Sequence, residues 1–561
     1  MGLLILPNER TGAGDGALGA GGDLGSTAVG FHALFNDVTG GQHNTAVGDQ
    51  ALFSNTTGYQ NTAIGVFALQ DNTDATDNTA VGADALLINT AIGNTAIGSQ
   101  ALLNNTTGGT LGNTQGIDVG PNVAVGWQAL ASNTIAGANT AIGYQALQSF
   151  TAGPAGYENV GGCTAVGFQA IAYASGALFN SGFGYRTLYN DTTGDLNVAV
   201  GATALFSNTI GTGNVANGNG ALYNNTQGIY NTAIGHVALE NNTTGNRNTA
   251  SGAFALFTNT TGGGNTASGH SALFSNTTGS DNMADGYQAL YYNTTGFDNT
   301  AAGVVALEAN TEGYQNTAIG GGALQFNTTG NNNTAEGAGA LNNNNTGGAN
   351  NAVGVDALQN NTTGSGNVAV GFQAGANSDT GSNNVYIGSI LGFSGESNAC
   401  YIQSIFGQTS FSGTPVYINA FNKLGTTTSS KRFKENIKPM DKASEVILAL
   451  KPVTFRYKKE IDPAGRSQFG LVAEEVEKIN PDLIVRDKEG KPYSVRYDAV
   501  SAMLLNEFLK EHRKVEQLTK NFQATIAQQQ KQIEALTAGL QAVSAQLEAK
   551  TPSSTIVLSN Q

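Results

Sequence analysis

Seventeen residues separate one NTA-type phrase from the next over most of this chain. From Cys163 (CTAVG) the same slot returns at Asn180, Asn197, Asn214, Asn231, Asn248, Asn265, Asn282, Asn299, Asn316, Asn333, Asn350, Asn367 and Asn384. Upstream, Asn44, Asn61 and Asn78 are in step, as are Asn122 and Asn139, and insertions such as SFTAGPAGYENVGG break the phase between them. The consensus is NTAxGxxALxxNTTGxx. A fixed short period with this fidelity marks a solenoid, in which each unit buries its apolar face only against its neighbours. N-T-A-I/V predicts a short strand with Thr and the aliphatic residue on one face and Ala on the other. The Gly after it suits a corner at positive φ. Ala-Leu then forms a second strand or a single helical turn, and NTTG closes the unit as a turn whose Asn or Thr bonds its own backbone. Stacked units predict a rod.

The core of such a unit is thin: two Ala, one Ile or Val, and one Leu. That scarcely offsets the entropy of ordering a whole unit, so the expectation is that neighbouring chains share the core as a parallel homotrimer. The phrases NTAIGVFAL (61–69) and NVAVGFQAG (367–375) resemble the head repeats of trimeric autotransporter adhesins, over roughly residues 26–390. That resemblance implies stacked coils and a trimer, although those heads use a shorter repeat.

Charge divides the chain. Residues 1–428 hold four basic residues (Arg10, Arg186, Arg247, Lys423) against 23 acidic ones, a net −19, whereas the remainder is net +4. An acidic shaft argues against nucleic acid as a partner. Cys163 and Cys400 are too few and too far apart for a disulfide framework, and the five scattered histidines provide no metal-ligand spacing, so neither metal nor cofactor is expected. MGLLILPNER has too short an apolar run for a signal peptide, and no run of 18 apolar residues exists to cross a bilayer. The NTT triplets match the N-glycosylation sequon, but stacked turns account for them better. Tyr59, Trp127, Tyr144 and Phe168 follow glycines, as sugar-stacking platforms or, with more support, as packing along the shaft.

The tail is different. From 384 the repeat decays through NVYIGSILG, ACYIQSIFG and PVYINAFNKLG, apolar β runs that predict a collar. ASEVILALKPVTF predicts a short amphipathic helix (Val446, Ile447, Leu450) that breaks before Pro452 and is followed by a strand, and FGLVAEEVEKINPDLI predicts a strand, a short helix and a Pro stop. A long helix follows. Val515, Leu518 and Phe522, then after a stutter Ile526, Ile533, Leu536, Leu540, Val543 and Leu547, form a coiled-coil seam with Gln529 in one core slot.

SSKRFKENI, FGLVAEEVEKINPDL and YSVRYDAV, in that order over about 429–520, resemble the intramolecular chaperone domain of endosialidase-type phage tailspikes. The resemblance implies a domain that trimerises the fibre before it and then cuts itself off just before a serine, using that serine and a lysine five residues later. Here these are Ser429 and Lys434, and the bond is Thr428–Ser429; Ser430 stands where the family often has Asp or Asn. A serine hydroxyl needs a base, and a lysine serves only when neutral. Spacing of five puts two side chains on different faces of a helix or strand, so the pair needs a bent segment or a lysine from another chain.

The expected fold class is therefore mainly β: a parallel β-roll or β-helix shaft of 17-residue units, trimeric, then a small α+β domain and a C-terminal coiled coil. The expected layout is an N-terminal segment (1–25), shaft (26–390), collar (391–428), intramolecular chaperone (429–505), coiled-coil helix (506–548) and flexible tail (549–561). The expected function is that of a trimeric extracellular fibre or adhesin, on a phage tail or a bacterial surface, with itself and a host-surface glycan or protein receptor as partners and no insertion into membranes. A glycan-degrading tailspike and a purely structural surface rod are the alternatives.

Overall fold

The computed structural model describes residues 4–6, 10–18, 25–38, 43–114, 116–408, 411 and 413–550. The expected flexible tail therefore lies, beyond Lys550, outside the described residues, as does much of segment 1–25. The chain forms two compact units, Met1–Gln408 and Thr409–Gln561.

The first unit is a parallel β-solenoid with one three-residue strand per coil. Strands meet in register: Thr62 opposite Thr79, Ala63 opposite Ala80, Ile64 opposite Val81. They build a 24-stranded sheet, in which only the first strand, Leu4–Leu6, pairs antiparallel. At about 4.8 Å per coil the stack is roughly 100 Å long. Alternation places the middle Ala inward, fully buried in coil after coil, and the flanking Thr and Ile/Val outward. The aliphatic residue counted as core is thus on the outer face: Ile64, Ile97 and Ile234 are all exposed.

The residues after the strand make neither a second strand nor a helical turn. Gly65 takes φ +139°, and a Cβ there would lie 2.3 Å from the carbonyl oxygen of Gly82 in the next coil, so only Gly fits this corner. Phe67 and Leu69 follow at φ 57° and 51°, the left-handed region that costs an L-residue about 1–3 kcal/mol. Leu69 is nonetheless fully buried, and its N–H donates to Ala85 O in the next coil at 3.0 Å. Burial and this bond, repeated in each coil, hold the unfavourable conformation in place.

Two ladders of buried asparagine complete the interior. The Asn before each strand forms one. Asn265 N donates to Asn248 Oδ1 (3.0 Å), Asn265 Nδ2 donates to Gly279 O (2.8 Å), and Asn265 Oδ1 accepts from Asn282 N (3.0 Å). The Asn of NTT forms the other: Asn276 Nδ2 donates to Asn259 Oδ1 (2.8 Å) and to the same Gly279 O (2.9 Å). The Thr after it reaches the next coil rather than its own, Thr277 Oγ1 donating to Thr294 O at 3.0 Å. Because the sequon asparagines are inside, no glycan can be attached to them without opening the core. Ala, Leu and Asn are sealed within one chain, so a thin core does not by itself require neighbouring chains to share it.

Substitutions in the ladders are coupled. Cys163 stands in a strand-leading slot and provides no Oδ1, so Asn180 Nδ2 turns to Asp191 Oδ2 (2.8 Å), while Asp191 Oδ1 accepts from Asn208 Nδ2 (2.7 Å). Burial holds the Asp191 carboxyl well above the usual carboxylate range. Burial likewise pushes the Cys163 thiol up to about 12, and its Sγ lies 3.4 Å from Ala177 O. Cys400 is exposed. A native sample should therefore take up one maleimide per chain, at Cys400, and a second only after denaturation. Rapid native labelling of Cys163 would mean that the ladder opens.

Both insertions leave the sheet intact. Strand Thr95–Ile97 pairs with Val123–Val125 across the first, which carries the hairpin Gly112–Thr114/Ile117–Val119, and Thr140–Ile142 pairs with Thr164–Val166 across the second. Val119, Val160 and Leu178 bury one another beside the coils. At the far end the sheet runs on to Cys400–Ile402, where Tyr401 stacks 5.8 Å from the fully buried Tyr386 and donates to Glu396 Oε1 (2.8 Å).

Candidate self-cleavage site and its domain

The second unit opens with a small hairpin, Tyr417–Ile418 against Leu424–Gly425, pinned by Asn419 Oδ1 accepting from Phe421 N and Lys423 N, both at 3.0 Å. Exposed chain follows to Ser430, at φ −65° and ψ 137°. A single 3₁₀ turn, Lys431–Phe433, comes next. Phe433 N donates to Ser430 O (3.0 Å) and Lys434 N to Lys431 O (3.1 Å), after which Lys434 is extended again. The Arg432 guanidinium sits 4.6 Å from the Phe433 ring centroid. The chain therefore bends at Lys431–Phe433, between Ser429 and Lys434. Within one chain the two side chains are exposed, and neither has a hydrogen-bond or ion-pair partner among the described residues.

Behind this segment lies a small α+β fold. A 3₁₀ segment (Asp441–Ala449) leads to strand Val453–Phe455, paired antiparallel with Gln468–Gly470. Helix Ala473–Ile479 stops before Pro481, where Asn480 Oδ1 caps Asp482 N at 3.0 Å. Ile484–Arg486 pairs with Pro492–Val495, and a 52-residue helix runs Tyr497–Glu548. Val476, Leu483, Ile484 and Val495 form the core, with Val446, Leu450 and Val500 against them.

A polar cluster that the sequence did not announce ties the 3₁₀ segment to the long helix. Fully buried Ser444 bonds Glu507 Oε1 through its hydroxyl and accepts from Asn506 Nδ2 (2.7 Å); Lys510 Nζ donates to Glu507 Oε1 (2.7 Å). The Lys510 and Ser444 bonds lower the Glu507 carboxyl below its ordinary range, and Glu507 raises Lys510. Some 60 residues separate Ser444 from its partners, so no local spacing could have signalled the cluster.

Along the rest of the helix the seam residues Val515, Leu518, Phe522, Ile526, Ile533, Leu536, Leu540, Val543 and Leu547 are all exposed. Among the described residues no helix is long and apolar enough to cross a membrane.

Two acidic residues of the shaft, Asp285 and Glu336, share a register, each being the third residue of its strand with Ala302 and Ile319 between them. The reason is that three full periods separate them. Three coils put them about 14 Å apart by coil rise, beyond the roughly 5–9.5 Å of a glycosidase pair.

No curated protein and no solved structure matches the chain. Across residues 429–485, from the candidate nucleophile into the Ile484–Arg486 strand, the chain matches the family model described as chaperone of endosialidase, Peptidase S74.

Proposed function

We propose that this chain is the subunit of a trimeric extracellular fibre whose C-terminal domain drives assembly and then releases itself by cutting Thr428–Ser429. Ser429 is the nucleophile and Lys434 its base; residues 429–505 act as chaperone and 506–548 as a coiled coil. A chaperone-of-endosialidase segment behind a β-solenoid shaft is the layout of a phage tail fibre or tailspike-like protein. The observation that carries the proposal is a coincidence of boundaries: the family match begins at Ser429, beyond a shaft whose core is already closed. Two further features support it. The bend at Lys431–Phe433 suits the dyad. The tail unit has a core of four buried residues and a long exposed apolar stripe, and a domain so poor in core needs partners to be stable.

Light scattering on the folded chain, with intact mass measured on the same sample, tests this reading. A trimer whose chains resolve into one fragment ending at Thr428 and one beginning at Ser429 is the expected result. A monomer, or a trimer that stays uncut for days, would remove assembly or cleavage respectively.

A further inference from the structure

Aromatic side chains on the outer surface of the shaft line up from coil to coil. Trp127, Tyr144, Phe168 and Tyr185 stack with centroids 4.9, 5.0 and 5.4 Å apart. A neighbouring row continues upward with Tyr189, Phe206 and Tyr223, at 5.1 and 4.9 Å. Beside the first row runs a ladder of amides: Gln128 Nε2 donates to Gln100 Oε1 (2.8 Å), Gln145 to Gln128 (3.0 Å) and Gln169 to Gln145 (2.8 Å). Arg186 ends this ladder, its Nε donating to Gln169 Oε1 at 2.9 Å. It also stands where the two aromatic rows meet, with Cζ 5.1 Å from the centroids of both Tyr185 and Tyr189.

The charge of this strip is unlike that of the shaft around it. Arg186 is one of four basic residues in 1–428. Four acidic residues fall between Gln100 and Tyr223, and none is on the strip. Asp118 is on the hairpin insertion and Glu158 on the other insertion; Asp191 is buried in the turn ladder, and Asp195 Oδ1 accepts from Leu178 N. The terminal nitrogens of Arg186 make no hydrogen bond or ion pair among the described residues. A planar fork held between two rings in a carboxylate-free strip is arranged to take a carboxylate through two parallel bonds.

The rings face one another, so a sugar cannot lie on most of their faces. What the strip presents outward is ring edges, tyrosine hydroxyls and glutamine amides, repeated at the coil rise of about 4.8 Å. Each ladder amide uses one N–H on its neighbour and keeps the second. Such a row suits a linear, hydroxyl-rich polymer lying along the shaft, rather than a ligand in a pocket. We infer that this strip, from Trp127 to Tyr223, binds a linear carboxylate-bearing glycan, with Arg186 receiving the carboxylate and the amide and tyrosine rows receiving the hydroxyls. The inference rests on the chain being a fibre that contacts a cell surface, and it names where that contact lies and with what chemistry.

Titration calorimetry on the full-length protein tests it, with hyaluronan, alginate and polygalacturonate oligomers as carboxylated probes and chitin and cellulose oligomers as uncharged ones. At least one carboxylated probe should bind, and no uncharged probe should match it. Arg186→Gln extends the amide ladder by one step, so it should melt with the wild type yet bind that probe at least about tenfold more weakly, the loss expected for a charge-assisted bond. Tyr189→Phe, which keeps the stack and removes a hydroxyl, should weaken binding less. No binding by any carboxylated probe, or equal binding by Arg186→Gln, overturns the inference. Oligomeric state and chain mass do not enter this measurement, so the fibre proposal can stand while this one falls.

Discussion

Ser429→Ala should give one full-length band on a denaturing gel where the folded wild type gives two, while both form the same oligomer. The substitution removes only the hydroxyl, and the site is exposed in the single chain, so folding should be untouched. Lys434→Arg should also stay whole: it keeps the positive charge but cannot give up its proton to act as a base. Ser430→Ala should still cut, and Ser430→Asp should cut at least as fast, since it restores the residue the family often carries there. A lysine becomes neutral more readily when it is buried or crowded by cations. In one chain the segment is exposed, so contacts with another chain are the natural source of burial, and cleavage should lag behind oligomer formation in a refolding time course. Cutting of Ser429→Ala at the same bond would sink the dyad. Cutting that precedes assembly would sink the coupling.

Asn265→Ala should be among the most damaging single changes in the shaft, at about 4 kcal/mol. It removes the side-chain bonds from Nδ2 to Asn248 Oδ1 and Gly279 O and the one that Oδ1 accepts from Asn282 N, and buried groups left without partners cost about 1–3 kcal/mol each. Outward-facing Ile234 is the contrast. Although larger and more apolar, it is exposed, and Ile234→Ala should cost less than about 1 kcal/mol. Coils couple mainly to their neighbours, so the damage should appear as fast amide exchange confined to the coils around residue 265. Equal costs for the two substitutions would place the wrong residue inside.

That contrast shows what the sequence made legible. The period, the Thr–Ala–Ile strand and the glycine corner follow from spacing and steric limits alone. Alternation fixed two faces but not which of them turns inward, and the usual preference for aliphatic cores pointed the wrong way. The strand's third position holds Ile64 and Val29 but also Ser251, Asp285 and Glu336, a tolerance that only a solvent-facing position has. The asparagine of NTTG reads as a turn former and does bond its own turn, Asn276 Nδ2 to Gly279 O; what spacing does not signal is that its side chain is also inside, because each coil supplies a partner for the next. Leucine at positive φ had no signal, since no local preference favours it and only the stacked neighbours hold it there. In the tail, the bend between Ser429 and Lys434 could be argued from spacing. Spacing says nothing of whether the two side chains meet, and among the described residues no hydrogen bond joins them. The Ser444–Glu507 cluster joins residues far apart in sequence, beyond the reach of pattern reading.

The in-register pairing on both sides of each insertion has a consequence at the level of the gene. Adding or deleting one whole period places Thr opposite Thr and Asn above Asn again, so near-identical repeats can recombine unequally and still encode a closed stack. A long insertion is expelled as a loop, as it is between Thr95–Ile97 and Val123–Val125, whereas a coil one residue short, Asn78 to Asn94, still pairs in register. Shaft length can therefore vary among descendants in integer steps of about 4.8 Å, like a ruler whose marks can be added or removed without recalibrating the rest.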